Sequence, residues 1–147
     1  MSKTIYMLNG PNLNLLGSRE PEIYGYETLD DIAASCRKIG TRHNLDVDFR
    51  QSNHEGQIVD WIQEAIGHAD AIIINAAAYT HTSVAIHDAL RSYGGYVVEL
   101  HISNPHLRES FRHTSYVSTA ANAIIAGLGT MGYELVIPLV SEILGTD

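Results

Sequence analysis

Apolar and polar positions along this 147-residue chain switch between a period of two and a period near 3.6. Residues 4–8 form an apolar run that reads as a strand. Over 28–43, Leu29, Ile32, Ala33, Cys36 and Ile39 share one face of a helix. Leu45, Val47 and Phe49 then alternate with Asp46, Asp48 and Arg50, as in a half-exposed strand over 45–51. The helical period returns over 56–67, with Ile58, Trp61, Ile62 and Ala65 inward. Residues 71–74 are a short, wholly apolar strand, 83–93 a helix and 96–101 a strand. Tyr116 and Val117 read as a short edge strand. The span 120–144 reads as helical, broken near Gly132 or Pro138. No repeat, linker or low-complexity stretch interrupts the series.

Strands that alternate with helices predict an α/β chain with a parallel sheet covered on both faces. Five strands of this length fit a flavodoxin-like arrangement with strand order 2-1-3-4-5, in a single catalytic domain over 1–147. Ligands of such sheets bind beyond the carboxyl ends of the strands. Polar residues gather there: Asn9 after the first strand, Ser52 and Asn53 after the second, Asn75 after the third, His101 and Ser103 after the fourth. Turn chemistry accounts for any one of them. The set as a whole marks a ligand site.

Composition narrows the ligand. With 45% hydrophobic and 18% charged residues the chain is an ordinary globular one. A net charge of −8 argues against nucleic acid or an anionic membrane as partner. A small anion remains open, because a few local arginines outweigh a distant field. Cys36 is the one cysteine, so no internal disulfide forms. No secretory signal opens the chain, and a reducing cytoplasm is the expected setting. Cys36 sits on the apolar helix face and reads as an inert thiol. No apolar run approaches the roughly 18 residues that span a bilayer.

The chemistry concentrates in Glu99-Leu100-His101-Ile102-Ser103. Alternation along a strand turns Glu99, His101 and Ser103 to one side. A carboxylate two residues from a histidine orients the imidazole and favours its protonated form. Such a pair adds little stability once desolvation is counted, so its place at a strand end suggests acid–base work. A structural histidine satisfied by its neighbour explains the segment equally well taken alone. Asn9-Gly10-Pro11-Asn12 offers amides to a ligand, or caps a turn. Gly17 and Gly25 bracket a polar stretch without periodicity, the composition of a lid or of a surface loop. That stretch holds Arg19 five residues before Tyr24; a tyrosine acts as a base only where a cation favours its phenolate.

Asn75-Ala76-Ala77-Ala78-Tyr79-Thr80-His81-Thr82-Ser83 joins a strand to a helix, with Thr82 or Ser83 as its N-cap. His81 and Asp88 share a helical face if His81 is already helical. Arg108 and Arg112 stand one turn apart beyond the Glu–His strand, aimed at a small anion or capping a surface helix. Two motif matches fail on context. Gly127-Leu128-Gly129-Thr130-Met131-Gly132 fits G-x-G-x-x-G but follows a helical run near the chain's end, where close packing or a bend explains it. The eight histidines form no H-E-x-x-H or Cys/His cluster, so no metal site is expected. There is no G-x-S-x-G elbow.

Over nearly its whole length the chain resembles the type II 3-dehydroquinate dehydratases. The resemblance rests on Asn9 to Gly17 (NGPNLNLLG), Arg19-Glu20-Pro21, Tyr24-Gly25, Ala78 to Ser83 (AYTHTS), Glu99 to Asn104 (ELHISN) and Arg108 to His113 (RESFRH), in that order. Ala76 and Ala77 depart from it, standing where proline or glycine is common. The resemblance implies anti elimination of water from 3-dehydroquinate through an enolate, in the shikimate route to aromatic amino acids or in quinate catabolism. Tyr24 would be the base, held as phenolate by Arg19 with help from Arg108. Asn12 would position a water at the enolate oxygen. His101, held by Glu99, would be the acid. Asn75 and the backbone N–H groups of Ile102 and Ser103 would bind the carboxylate. His81, Arg112 and Asp88 would bind hydroxyls, Asp88 from a neighbouring subunit. No cofactor or metal is implied, and the assembly would be a dodecamer of trimers. The rival readings are a non-catalytic flavodoxin-like module binding FMN or a signalling partner, and another lyase or isomerase of a hydroxy-keto acid. Asn9, where a receiver domain would carry acids, counts against a signalling role.

Overall fold

The computed structural model describes residues 2–18 and 21–146, with the backbone alone for Ile23 and Tyr24. The elements run β1 (Lys3–Asn9), α1 (Pro21–Tyr24), α2 (Leu29–Arg42), β2 (Leu45–Gln51), α3 (Glu55–Ala65), β3 (Ala71–Asn75), α4 (Val84–Tyr93), β4 (Tyr96–His101), β5 (Ala123–Ala126) and α5 (Met131–Leu144), with short 3-10 turns between them. The five strands are parallel in the order β2-β1-β3-β4-β5, as expected of the alternation.

Residue parity assigns each strand side chain to one of two cores. Ile5 and Met7 of β1, Ala71 and Ile73 of β3, and Val98 and Leu100 of β4 pack under α2 and α5. Tyr6, Leu8, Ile72, Ile74 and Val97 face α3 and α4. Burial on both faces explains why β3 is apolar without alternation. Local chemistry sets the helix starts. Thr28 and Asp31 form a reciprocal capping box on α2, and the Ser83 hydroxyl accepts the Ile86 N–H at α4.

The last third departs from expectation. The fifth strand is Ala123–Ala126, and Tyr116 and Val117 lie in a turn. Val117 is fully buried because it plugs the core beside α4, which mimics the burial of an edge strand. The span 120–144 is therefore no single helix. Gly127 and Gly129, at φ of 84° and 64°, turn β5 into α5. The Gly-rich segment thus does join a strand to a helix, but at the far edge of the sheet, away from the first strand. Pro138 stays inside α5 without ending it. It lies on the half-exposed flank, so the Glu134 carbonyl that loses its N–H partner is near solvent.

Gly10 is required by proximity. A Cβ on Gly10 would sit 2.3 Å from the Ala76 carbonyl oxygen, where the chain leaving β1 crosses the chain leaving β3. Gly56, in the first turn of α3, meets nothing. Gly10→Ala is therefore expected to lower the unfolding free energy by several kcal/mol or abolish folding. Gly56→Ala is expected to raise it by up to about 1 kcal/mol. Urea titration of both variants checks the pair.

Candidate active site

The carboxyl ends of β1, β3 and β4 open into one cavity of about 600 Å³, the scale of a small-molecule site. From the chain after β1 come Pro11, Asn12 and three leucines. After β3 come Asn75, Ala77, Ala78 and His81. After β4 come His101, Ile102, Ser103, Pro105, Arg108 and Arg112. Eight of the expected site residues therefore converge. A smaller, largely apolar groove of about 380 Å³ runs between β4, β5 and α5 and brings in no convergent polar set.

Glu99 stands directly behind His101. It shares the parity of Val97 and faces the α4 side, where an apolar residue would otherwise sit. Its side chain is buried, and its Oε2 takes the His101 Nε2 hydrogen at 2.5 Å. The same oxygen accepts from the Ser115 hydroxyl at 2.6 Å and lies 3.2 Å from the Thr80 hydroxyl. Oε1 accepts a short hydrogen bond from Ser118. Burial alone would push this carboxyl up. Hydrogen bonds from His101, Ser115 and Ser118 outweigh it and hold the carboxyl at about 2. An ionised carboxylate only accepts, so Nε2 carries the hydrogen and Nδ1 is the ring nitrogen left for a ligand.

A second buried assembly ties the other two strand ends. Register pairs Asn9 of β1 with Asn75 of β3. Both face α5, and the Tyr133 hydroxyl bridges them. It donates to Asn9 Oδ1 at 2.7 Å and accepts from Asn75 Nδ2 at 2.8 Å. Burial pushes the Tyr133 phenol well above its ordinary value, so it stays a neutral donor. Asn75 Oδ1 accepts the Ala77 N–H at 3.2 Å. Ala77 holds a φ of 53°, a conformation that favours glycine.

The remaining candidates divide. Asn12, at φ 70°, is held by its N–H to Asn53 Oδ1 at 3.0 Å. His81 Nδ1 bonds the Thr114 carbonyl at 2.8 Å. It lies in the 3-10 turn Ala77–His81, ahead of the Ser83 cap, so the shared helical face with Asp88 does not form. Asp88 is exposed on α4, outside the cavity. Arg108 follows the 3-10 turn Pro105–Leu107 and Arg112 lies in the next, Ser110–His113, so the two do not share one helix. Arg108 reaches Ser103 at 3.4 Å, and Arg112 bonds Glu109 at 3.2 Å. Arg19 lies outside the described residues, as does the side chain of Tyr24. Asn9, Ser52 and Asn53 are structural: Asn9 also donates to the Arg50 carbonyl, Ser52 donates to Gln57, and the Asn53 carbonyl accepts from Tyr79.

The arrangement is a polar cleft with the Glu99 carboxylate bonded to His101 at its base and two arginines along it. The sequence model of one family, described as Dehydroquinase class II, matches residues 3–141. The chain belongs to that family. A 3-dehydroquinate dehydratase of Brucella canis is 60% identical, across 92% of this chain and 86% of that protein. Another from Acidovorax sp. (strain JS42) is 57% identical, across 93% of this chain and 96% of that protein. The type II dehydroquinase of Propionibacterium acnes superposes with a TM-score of 0.91 at 46% identity, covering 97% of this chain and 98% of that one. The dehydroquinase fold is thus the five-stranded sheet described above. Thr80, Ser115, Ser118 and Tyr133 were not visible as site residues in sequence; the one signal was the three-residue spacing of Ser115 and Ser118 around a buried valine.

The Glu99 pair makes stability depend on pH. The folded-state carboxyl is held below its ordinary value, so its contribution is complete above about pH 5 and is lost as pH falls toward 2. The whole shift corresponds to roughly 3 kcal/mol. Glu99→Gln is expected to flatten the fall in unfolding free energy between pH 6 and pH 3, read by urea titration at each pH. An equally steep fall in the variant would place the acid sensitivity elsewhere.

Proposed function

We propose that this chain removes water from 3-dehydroquinate to give 3-dehydroshikimate by acid–base catalysis, with His101 as the acid and Tyr24 as the base. The observation that carries the reading is the ionised Glu99 carboxylate fixing His101 at the floor of the cavity. Family membership supplies the reaction class. Tyr24 as phenolate takes the proton beside the ketone, and the electron pair moves to the carbonyl oxygen as an enolate. Arg19, aided by Arg108, holds the phenolate. A water positioned by Asn12 stabilises the enolate oxygen. The enolate then collapses, the carbon–oxygen bond breaks, and His101 gives its Nδ1 proton to the departing hydroxyl, which leaves as water. Return of the proton from Tyr24 to His101 through solvent resets the pair.

Substrate binding follows from charge. Asn75, with the N–H groups of Ile102 and Ser103, takes the carboxylate, and Arg112, His81 and a neighbour's Asp88 take hydroxyls. Two cavity arginines outweigh the net charge of −8, because distant charges are screened beyond about 8–10 Å. A homo-oligomer, a dodecamer of trimers, is supported by Asp88 standing outside its own cavity. It is supported also by an exposed apolar stripe on α5: Met131, Leu135, Leu139 and Ile143, with Leu128 before it. The route is that of shikimate or quinate metabolism. The buried Cys36, whose thiol burial pushes up to about 12, suits a reducing cytoplasm. Among the described residues no helix is long and apolar enough to cross a membrane.

The test is incubation of purified protein with 3-dehydroquinate while following the ultraviolet absorbance of the conjugated enone. Activity is expected without added cofactor and after chelation, and also after borohydride treatment with substrate, since no lysine forms a Schiff base. Tyr24→Phe is expected to keep its fold and lower turnover at least ~100-fold. Near-normal turnover would remove Tyr24 from the mechanism. Asp88→Ala is expected to weaken activity, and full activity of the protein as a verified monomer would exclude a site shared between subunits.

A further inference from the structure

We propose that Ser118, working with Ser115, is a positioning residue for the acid: its hydroxyl fixes the Glu99 carboxylate, which in turn aims His101 into the cavity. The inference rests on the reading of His101 as the acid. A glutamate carboxylate turns freely about its last torsion, which has no sharp staggered wells. One held oxygen does not fix it; both must be held. Oε2 takes His101, Ser115 and Thr80, whereas Oε1 takes Ser118. Ser118 therefore decides where Oε2, and with it the imidazole, points.

The segment that carries these hydroxyls is built to stay in place. Val117 is fully buried between them. His81 Nδ1 bonds the Thr114 carbonyl at 2.8 Å, the Tyr116 N–H donates to the Thr80 carbonyl at 2.8 Å, and His87 Nδ1 bonds the Tyr116 carbonyl at 2.7 Å. The Thr80 and Ser115 hydroxyls lie 2.5 Å apart, so the two segments over Glu99 also brace each other. The groups these segments turn to Glu99 are neutral hydroxyls. The titratable partner is His101, on the same strand. His81 is engaged with Thr114, and Arg108 and Arg112 lie along the cavity beyond His101. Hydroxyls hold the carboxylate without adding a cation that would compete with the imidazole for it.

Ser118→Ala removes the sole donor described on Oε1. A hydrogen bond to a charged group is worth about a tenfold change in an equilibrium or more. The expected result is a fall in kcat of about tenfold with KM within about twofold. The Glu99 carboxyl midpoint should rise by about one pH unit, read by carbon-13 NMR and assigned with Glu99→Gln. Ser118→Thr should restore both quantities, and Ser118→Val, equal in shape but without the hydroxyl, should not. In the Glu99→Gln background, Ser118→Ala should cost no further turnover, because the two act as one unit. A purely structural serine would give additive losses and an unmoved Glu99 midpoint. That outcome, or wild-type kcat in folded Ser118→Val, overturns the proposal. If the wild-type protein leaves 3-dehydroquinate unchanged, the reading of the reaction fails, and the Glu99 midpoint still decides the role of Ser118.

Discussion

A carboxylate is buried at the fourth position of β4, and much of the site follows from how it is kept ionised. An isolated buried charge costs several kcal/mol, so the chain surrounds Glu99 with donors. Those donors come from separate places: His101 from the same strand, Thr80 from the turn after β3, and Ser115 and Ser118 from the turn before β5. Meeting the demands of one carboxylate thereby locks together the strand end and the two segments that wall the cavity.

The opposite face uses a neutral device for a similar end. The Tyr133 hydroxyl joins Asn9 to Asn75, the paired ends of β1 and β3. A charge is unnecessary there, because an amide and a phenol satisfy each other at little desolvation cost. The result is a division of labour across the sheet. The α4 face carries the Glu99 carboxylate with its His101 partner, and the α5 face carries neutral groups that tie the ends of β1 and β3. Asn75 is anchored by Tyr133 and also lines the cavity.

Periodicity made most of the fold legible. Leu29, Ile32, Ala33 and Cys36 are buried on α2 as their spacing requires, and the wholly apolar 71–74 is the central strand. It failed where an element was too short to show a period. Ala123–Ala126 is four residues long and reads equally as a turn of buried helix. Val117 reads as strand because it is apolar, yet it is buried by plugging a turn. The same limit applies to the site. Glu99 and His101 stand two apart in a strand, so sequence alone puts them on one side. Arg108, Asn75 and Asn12 follow from strand ends and motif resemblance. Ser118 lies 19 residues from Glu99, and Tyr133 lies 58 from Asn75 and 124 from Asn9, and no local pattern carries such a contact. A substrate role for Asp88 follows from the resemblance alone, and its own cavity does not contain it.

In the proposed reaction, proton removal and hydroxyl departure are separate duties, and His101 serves the second. The most direct measurement incubates 3-dehydroquinate with His101→Ala in deuterated water and follows the substrate by proton NMR. Deuterium is expected to enter the carbon beside the ketone while the enone forms at least ~100-fold more slowly than with the unaltered protein. Elimination at close to the unaltered rate, or loss of exchange in step with elimination, would contradict it.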